Sequence, residues 1–181
     1  MILKKQREIF LIYGKTGSGK TTLAKDIIKN YKRVIIIDNL AEYEGTIIEN
    51  FSDFCDYIID KKEFVICCRF TEDEDYEYLF KVLFEIPDIL LVLEEAEMYI
   101  SPYAKRTDFL RLVKYGRHRD ISILGIARRT SELSSNFRSQ VDKIYTFKQT
   151  EPNDLKILED LGFNINEVQN LPEYKFSVIS H

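Results

Sequence analysis

Gly14-Lys15-Thr16-Gly17-Ser18-Gly19-Lys20-Thr21 decides the fold of this chain. The stretch satisfies G-x-x-x-x-G-K-[ST] at every fixed position. An apolar run, Ile9-Phe10-Leu11-Ile12-Tyr13, precedes it and predicts a buried strand. Behind it Leu23, Ala24 and Ile27 share one face of a predicted helix from about Lys20 to Asn30. Strand, glycine loop and helix together turn the motif into a P-loop rather than a glycine-rich turn. Glycines let the backbone wrap closely and aim N–H groups at phosphate oxygens. The helix N-terminus adds partial positive charge. Gly14, Lys15, Thr16, Gly17, Ser18, Gly19, Lys20, Thr21 and Thr22 are therefore the expected nucleotide-binding residues, with ATP the expected nucleotide. Lys20 would reach the β- and γ-phosphates, and the Thr21 hydroxyl would ligate Mg²⁺.

A second chemical signal lies downstream. Ile89-Leu90-Leu91-Val92-Leu93 is an apolar strand that ends in Glu94-Glu95, the shape of a Walker B element. Glu94 would support the Mg²⁺ shell, and Glu95 would polarise the water that attacks the γ-phosphate. Glutamate stands first where aspartate is usual, so its carboxylate must reach the metal from farther back.

The intervening and following segments alternate. Arg33 to Asp38, Glu63 to Cys68, Ile121 to Ala127 and Lys143 to Phe147 read as further parallel strands, and Tyr174 to Val178 as an edge strand. Helices are expected over Thr71–Phe84, Tyr103–Tyr115 and from Pro152 to about Leu161, and one around Phe51–Ile58 with Ser52 as a cap. Asp38 and Asn39 sit at a strand's carboxyl end, where they would face a ligand or cap a turn. The fold class is α/β: a P-loop NTPase with a mostly parallel sheet of about six or seven strands, helices on both faces, and one domain over residues 1–181.

Composition bounds the rest. The 181 residues are 45% hydrophobic, enough for one domain with a real core, with 7 Gly and 4 Pro leaving little room for linkers. No apolar run approaches the roughly 18 residues of a membrane span, and no signal peptide is legible, so a soluble, cytoplasmic protein without membrane insertion is expected. Cys55, Cys67 and Cys68 are an odd count, two of them adjacent on opposite faces of a strand. They read as free thiols packed in a reducing compartment. The net charge of −4 does not advertise nucleic-acid binding, yet base is concentrated from Lys105 to Arg119 and at Arg128-Arg129. A segregated basic segment can serve a polyanion on an acidic protein.

The Walker elements, Glu94-Glu95-Ala96, the segment Gly116-Arg117-His118-Arg119-Asp120 through Ala127-Arg128-Arg129, Ser134 to Asp142 and Glu151-Pro152-Asn153-Asp154 fall in an order that resembles the FtsK/HerA superfamily of ring-forming DNA-translocating ATPases. The resemblance covers nearly the whole chain. Compact members of that superfamily include viral genome-packaging ATPases and small phage and plasmid motors similar to filamentous-phage assembly ATPases. The resemblance implies non-specific binding of double-stranded DNA, a homo-oligomeric ring, expected as a hexamer, and a capsid or other assembly protein as partner. A viral origin would put the protein in the host cytoplasm or on the virion. Arg128 stands where the family carries a glutamine that senses the γ-phosphate. Arg117 is the implied finger reaching a neighbouring subunit's site, with Arg119 and Arg129 behind it. Lys105, Arg106, Arg111 and Lys114 are implied at the pore or subunit interface.

Two other functions fit a P-loop chain of this length. One is a small kinase that phosphorylates a nucleoside or metabolite, with Asp38 on the substrate side and Arg117 and Arg119 in a lid. The Glu94-Glu95 pair argues against it, because a kinase needs no water-polarising acid. The other is a nucleotide-binding switch or scaffold, against which the intact Lys20, Thr21 and carboxylates argue.

Overall fold

In the computed structural model, residues 7–103 and 107–181 are described. Lys105 and Arg106 lie outside them. The chain runs β1 (Ile9–Tyr13), α1 (Lys20–Ile28), β2 (Arg33–Ile37), β3 (Thr46–Ile48), α2 (Phe51–Ile58), β4 (Phe64–Cys68), α3 (Asp73–Leu83), β5 (Ile89–Leu93), α4 (Glu97–Ile100), α5 (Thr107–Tyr115), β6 (Ile121–Ala127), α6 (Ser135–Arg138), β7 (Lys143–Phe147), α7 (Pro152–Asp160), α8 (Ile165–Gln169) and β8 (Phe176–Ser180). All strands join one eight-stranded sheet in the order β3-β4-β2-β5-β6-β1-β7-β8. Every pairing is parallel except β7 with β8. Parallel strands covered on both faces must be apolar throughout, and β1, β5 and β6 are buried at every position.

The side chains of each strand divide between two cores. Ile9, Leu11 and Tyr13 join the larger one with Leu79, Phe80 and Leu83 of α3, Phe109 and Leu112 of α5 and Leu158 of α7. Phe10 and Ile12 join the smaller one, where Ala24, Leu23 and Ile27 of α1 pack. The helical stripe behind the P-loop therefore buries α1 against the sheet, as its spacing predicts. Cys67 and Cys68 enter opposite cores as free thiols, and burial pushes the Cys67 thiol up to about 11.

Two local expectations are corrected, and one added strand brings the sheet to eight where about six or seven are expected. Asn50, not Ser52, caps α2: its side chain accepts from the Asp53 N–H, which starts the helix one residue before Ser52. The short strand β3 lies in a region that shows no period, since three residues are too few to set one. The edge strand begins at Phe176 rather than Tyr174, because Tyr174 adopts a left-handed backbone (φ 60°) that cannot extend a ladder.

One glycine matters for the site. A Cβ on Gly125, inside β6, would stand 2.8 Å from Leu11 and 3.4 Å from Ala96. The missing side chain lets Ala96 close onto β6, where its N–H donates to the Ile126 carbonyl at 2.8 Å. The turn that carries Glu94 and Glu95 is thereby pinned to the sheet.

Candidate active site at the carboxyl ends of the central strands

The P-loop leaves β1 after Tyr13 and enters α1 at Lys20. Gly17 and Gly19 hold φ values of +78° and +105°, which a side chain would strain. A Cβ on Gly14 would meet the Ser18 Oγ at 2.4 Å and Phe147 Cβ at 2.9 Å, so this first glycine is required by space rather than by φ. Lys20 Nζ donates to the Lys15 carbonyl at 3.0 Å, folded back over the loop. Burial lowers the Lys20 pKa, with Glu94 opposing the shift.

Strand order then assembles the site. β6 lies between β1 and β5, so the residue that follows β6 emerges between the P-loop and the Walker B acids. That residue is Arg128, whose Nη2 pairs with Glu95 Oε1. Glu95 itself sits in a left-handed backbone (φ 49°) directly after Glu94, which swings its side chain onto the cleft wall. Glu94 is buried and accepts a 2.6 Å hydrogen bond from the Tyr43 hydroxyl. Burial raises the Glu94 pKa, and the Tyr43 bond and Lys20 pull it back. Thr21 Oγ1 donates to Glu42 Oε2 at 2.7 Å. Thr16, Gly17, Gly19, Lys20, Thr21, Thr22, Glu42, Glu94, Glu95, Glu97 and Arg128 line one cleft of about 310 Å³. On the other side of the loop a cleft of about 530 Å³ is lined by Lys15, Thr16, Gly17, Ser18, Phe147 and Tyr174 among others.

The remaining arginines separate by strand end. Arg129 leaves the cleft and pairs with Asp154 at 3.0 Å. Asp154 also accepts from Thr130 Oγ1 and the Ser131 N–H, which fastens the turn behind Arg128 to α7. Burial alone would raise the Asp154 carboxyl, but the hydrogen bonds from Ser131, Arg129 and Thr130 outweigh it and hold it below the usual range. Gln149, buried at the end of β7, donates to the Arg128 carbonyl at 3.3 Å. Arg117 and Arg119 lie on the 3₁₀ turn before β6, at the amino ends of the strands, opposite the end that carries the P-loop. The seven residues of β6 put them roughly 20 Å away at about 3.3 Å per residue. Neither arginine can serve its own P-loop. Arg119 is bonded to the Phe84 carbonyl and Glu85, whereas Arg117 is exposed. Arg111 covers the Phe84 ring at 4.2 Å, and Lys114 is exposed on the same helix.

Asp38 proves to be a turn anchor. Its carboxylate is fully buried, accepts the Glu42 and Tyr43 N–H groups, and is bonded by Arg69 at 2.8 and 3.0 Å. Sequence reading missed Glu42, Tyr43 and Glu97. The first two lie four and five residues past Asp38, near the end of a buried parallel strand, which is the signal that could have drawn attention to them. Glu97 opens α4; its Oε2 is buried without a hydrogen-bond partner among the described residues, and burial raises its pKa.

A family model described as the central domain of the helicase HerA matches residues 7–180. The chain belongs to the HerA helicase central-domain family. This HerA-type chain also superposes on solved structures. The genome packaging NTPase B204 from Sulfolobus turreted icosahedral virus 2, in complex with ATPγS, matches with TM-score 0.79 and 19% identity over 96% of this chain and 92% of that one. B204 from Sulfolobus turreted icosahedral virus, a DNA-packaging ATPase, matches with TM-score 0.78 and 23% identity over 98% and 94%. The N-terminal domain of zonular occludens toxin from Neisseria meningitidis matches with TM-score 0.56 and 20% identity over 81% and 79%. These likenesses establish a shared α/β P-loop fold. No curated protein sequence matches the chain. The HerA-type chain is an ATP-binding P-loop ATPase of the FtsK/HerA class. Among the described residues, no helix is long and apolar enough to cross a membrane.

Proposed function

We propose that this protein is an ATP-hydrolysing motor that moves double-stranded DNA, in the manner of a genome-packaging ATPase of a virus or mobile element. The observation that carries the proposal is the Glu95–Arg128 pair facing Lys20 across the phosphate cleft of a HerA-family chain. A water-polarising carboxylate and a cation at that place serve hydrolysis. A kinase would instead need an acceptor site there.

The residues divide the work. The P-loop amides and Lys20 Nζ take the phosphates, the lysine exchanging the Lys15 carbonyl for phosphate oxygens. Arg128 exchanges Glu95 for the γ-phosphate. Released from that pair, Glu95 accepts a proton from the water as its oxygen bonds to the γ-phosphorus, and the bond to the ADP oxygen breaks. Phe147 and Tyr174 of the second cleft offer aromatic surface for the nucleoside.

Thr21 and Glu94 are the proposed Mg²⁺ ligands. Hydroxyl and carboxylate oxygens are the hard donors this ion takes. Among the described residues no cluster of three or more acidic, histidine or cysteine side chains would hold a metal unaided, which fits an ion carried in with nucleotide phosphates. When bound, the ion would neutralise charge that develops on the phosphate oxygens.

The proposed assembly is a homo-oligomeric ring, a hexamer, with Arg117 presented from one subunit toward the nucleotide of the next. Its exposed position at the amino ends of the strands, opposite its own P-loop, supports that use. Arg111 and Lys114 are proposed to meet DNA phosphates, which makes binding sequence-independent. A capsid or other assembly protein would recruit the ring, in the host cytoplasm or on the virion. The test is ATP hydrolysis with and without double-stranded DNA across a salt series. Stimulation that fades as salt rises is expected. Turnover that ignores DNA but produces ADP rapidly on addition of nucleosides would overturn the proposal in favour of a kinase.

A further inference from the structure

We infer that Glu42 and Tyr43 are positioning residues for the metal–nucleotide site, orienting Thr21 and Glu94 from a single loop. The inference rests on the Mg²⁺–ATP site proposed above and adds residues to it. A hydroxyl that ligates a cation does so through an oxygen lone pair, so its proton must point elsewhere. Thr21 Oγ1 already sends that proton to Glu42 Oε2, 2.7 Å away, which leaves its lone pairs free for the cleft. Tyr43 acts on the other proposed ligand. Its hydroxyl donates to Glu94 Oε1 at 2.6 Å, fixing the carboxylate and leaving Oε2 for the ion. Groups that orient metal ligands in this way typically change metal affinity 10- to 100-fold when removed.

The loop is built to hold both groups still. Ala41 donates to the Asp38 carbonyl at 3.1 Å and takes a left-handed backbone (φ 56°). The Glu42 N–H donates to Asp38 Oδ1 at 2.8 Å, and the Tyr43 N–H to Oδ2 at 3.4 Å. Arg69 clamps the same carboxylate and the Tyr43 carbonyl. The Tyr43 ring is buried in the smaller core, under α1. Adjacent residues of one anchored turn thus reach Thr21 on α1 and Glu94 directly after β5.

The test compares ATPγS affinity with Mg²⁺ and with EDTA, by calorimetry, in wild type, Glu42→Ala, Glu42→Gln and Tyr43→Phe. Wild type is expected to gain at least tenfold from Mg²⁺. Glu42→Ala should lose most of that gain. Glu42→Gln, whose amide oxygen still accepts the Thr21 proton, should keep most of it. Tyr43→Phe should lose about tenfold of affinity in Mg²⁺. In EDTA none of the three should bind ATPγS more weakly than wild type, since losing the Glu42 carboxylate only takes negative charge off the phosphate cleft, whereas a merely structural role would weaken binding there too. Thermal melts check folding, and Glu42 is exposed, so its variants should melt as wild type does. A full Mg²⁺ gain in Glu42→Ala and Tyr43→Phe would overturn the inference. Equal damage from Glu42→Gln and Glu42→Ala would also overturn it, by making Glu42 a ligand through its charge. Absence of any Mg²⁺ gain in wild type would instead overturn the proposed site itself.

Discussion

Glu95→Gln should separate nucleotide binding from turnover. The variant keeps the shape of the side chain and the left-handed backbone at this position (φ 49°), which both residues reach at similar cost. The Gln Oε1 can still accept from Arg128. What is lost is the negative charge and the capacity to take a proton. A positioned general base contributes about 10² to 10⁴ in rate. At about 1.36 kcal/mol per decade, that is roughly 2.7 to 5.4 kcal/mol of barrier. Binding should change little, because the Arg128 side chain is 54% exposed and a solvated pair contributes little. Neutralising Glu95 also leaves Arg128 freer to meet the γ-phosphate, so ATPγS affinity should match or exceed that of wild type. Single-turnover hydrolysis at saturating enzyme, run beside a fluorescent-nucleotide titration, measures the two effects separately. The same measurements on Arg128→Ala and on the double variant test coupling. If Arg128 works against Glu95 and the γ-phosphate together, the losses will not add. Turnover of Glu95→Gln within tenfold of wild type would refute the assignment of the base and move it to another carboxylate on the cleft, Glu97 or Glu42.

Four further outcomes are expected. Lys20→Ala should bind ATP too weakly to saturate and should hydrolyse none; normal ATPase activity would remove the phosphate site from this loop. Gly14→Ala must accommodate a Cβ 2.4 Å from the Ser18 hydroxyl and 2.9 Å from Phe147, so it should lose at least tenfold in nucleotide affinity and about 1–3 kcal/mol in stability by denaturant unfolding. The Asp154 carboxyl is depressed in the folded state, so its stabilisation is present above its unfolded value, about 3.9, and is lost as pH falls through the folded one. Asp154→Asn should therefore be less stable than wild type at pH 7, with a margin that narrows as pH falls below the unfolded value, and a margin independent of pH would contradict the hydrogen-bonding account. Arg117→Ala should bind ATP normally but hydrolyse it slowly, and mixing it with Lys20→Ala subunits should restore activity above that of either variant alone, because an intact Arg117 then meets an intact Lys20 site across the interface; no restoration would refute the trans assignment.

The sequence by itself determined what is local. Glycine spacing between an apolar strand and a helical stripe specifies the P-loop, because backbone freedom and helix polarity act within a few residues. Apolar runs such as Val34 to Ile37 and Leu90 to Leu93 specify buried parallel strands, and Glu94-Glu95 identify themselves by ending one. Tertiary structure decided the order of those strands. Only the insertion of β6 between β1 and β5 brings Arg128 onto Glu95, while Arg117 stands at the amino end of the same strand. The first fact has no sequence signature, since strand order is set by which faces pack and how the crossovers close; the second follows once Ile121–Ala127 is read as a parallel strand, because Arg117 precedes it. Asp38 shows the same limit at short range. A carboxylate at a strand end looks alike whether it meets a ligand or a backbone, and here Arg69, contributed by another strand's end, turns it into the anchor of the loop that presents Glu42 and Tyr43.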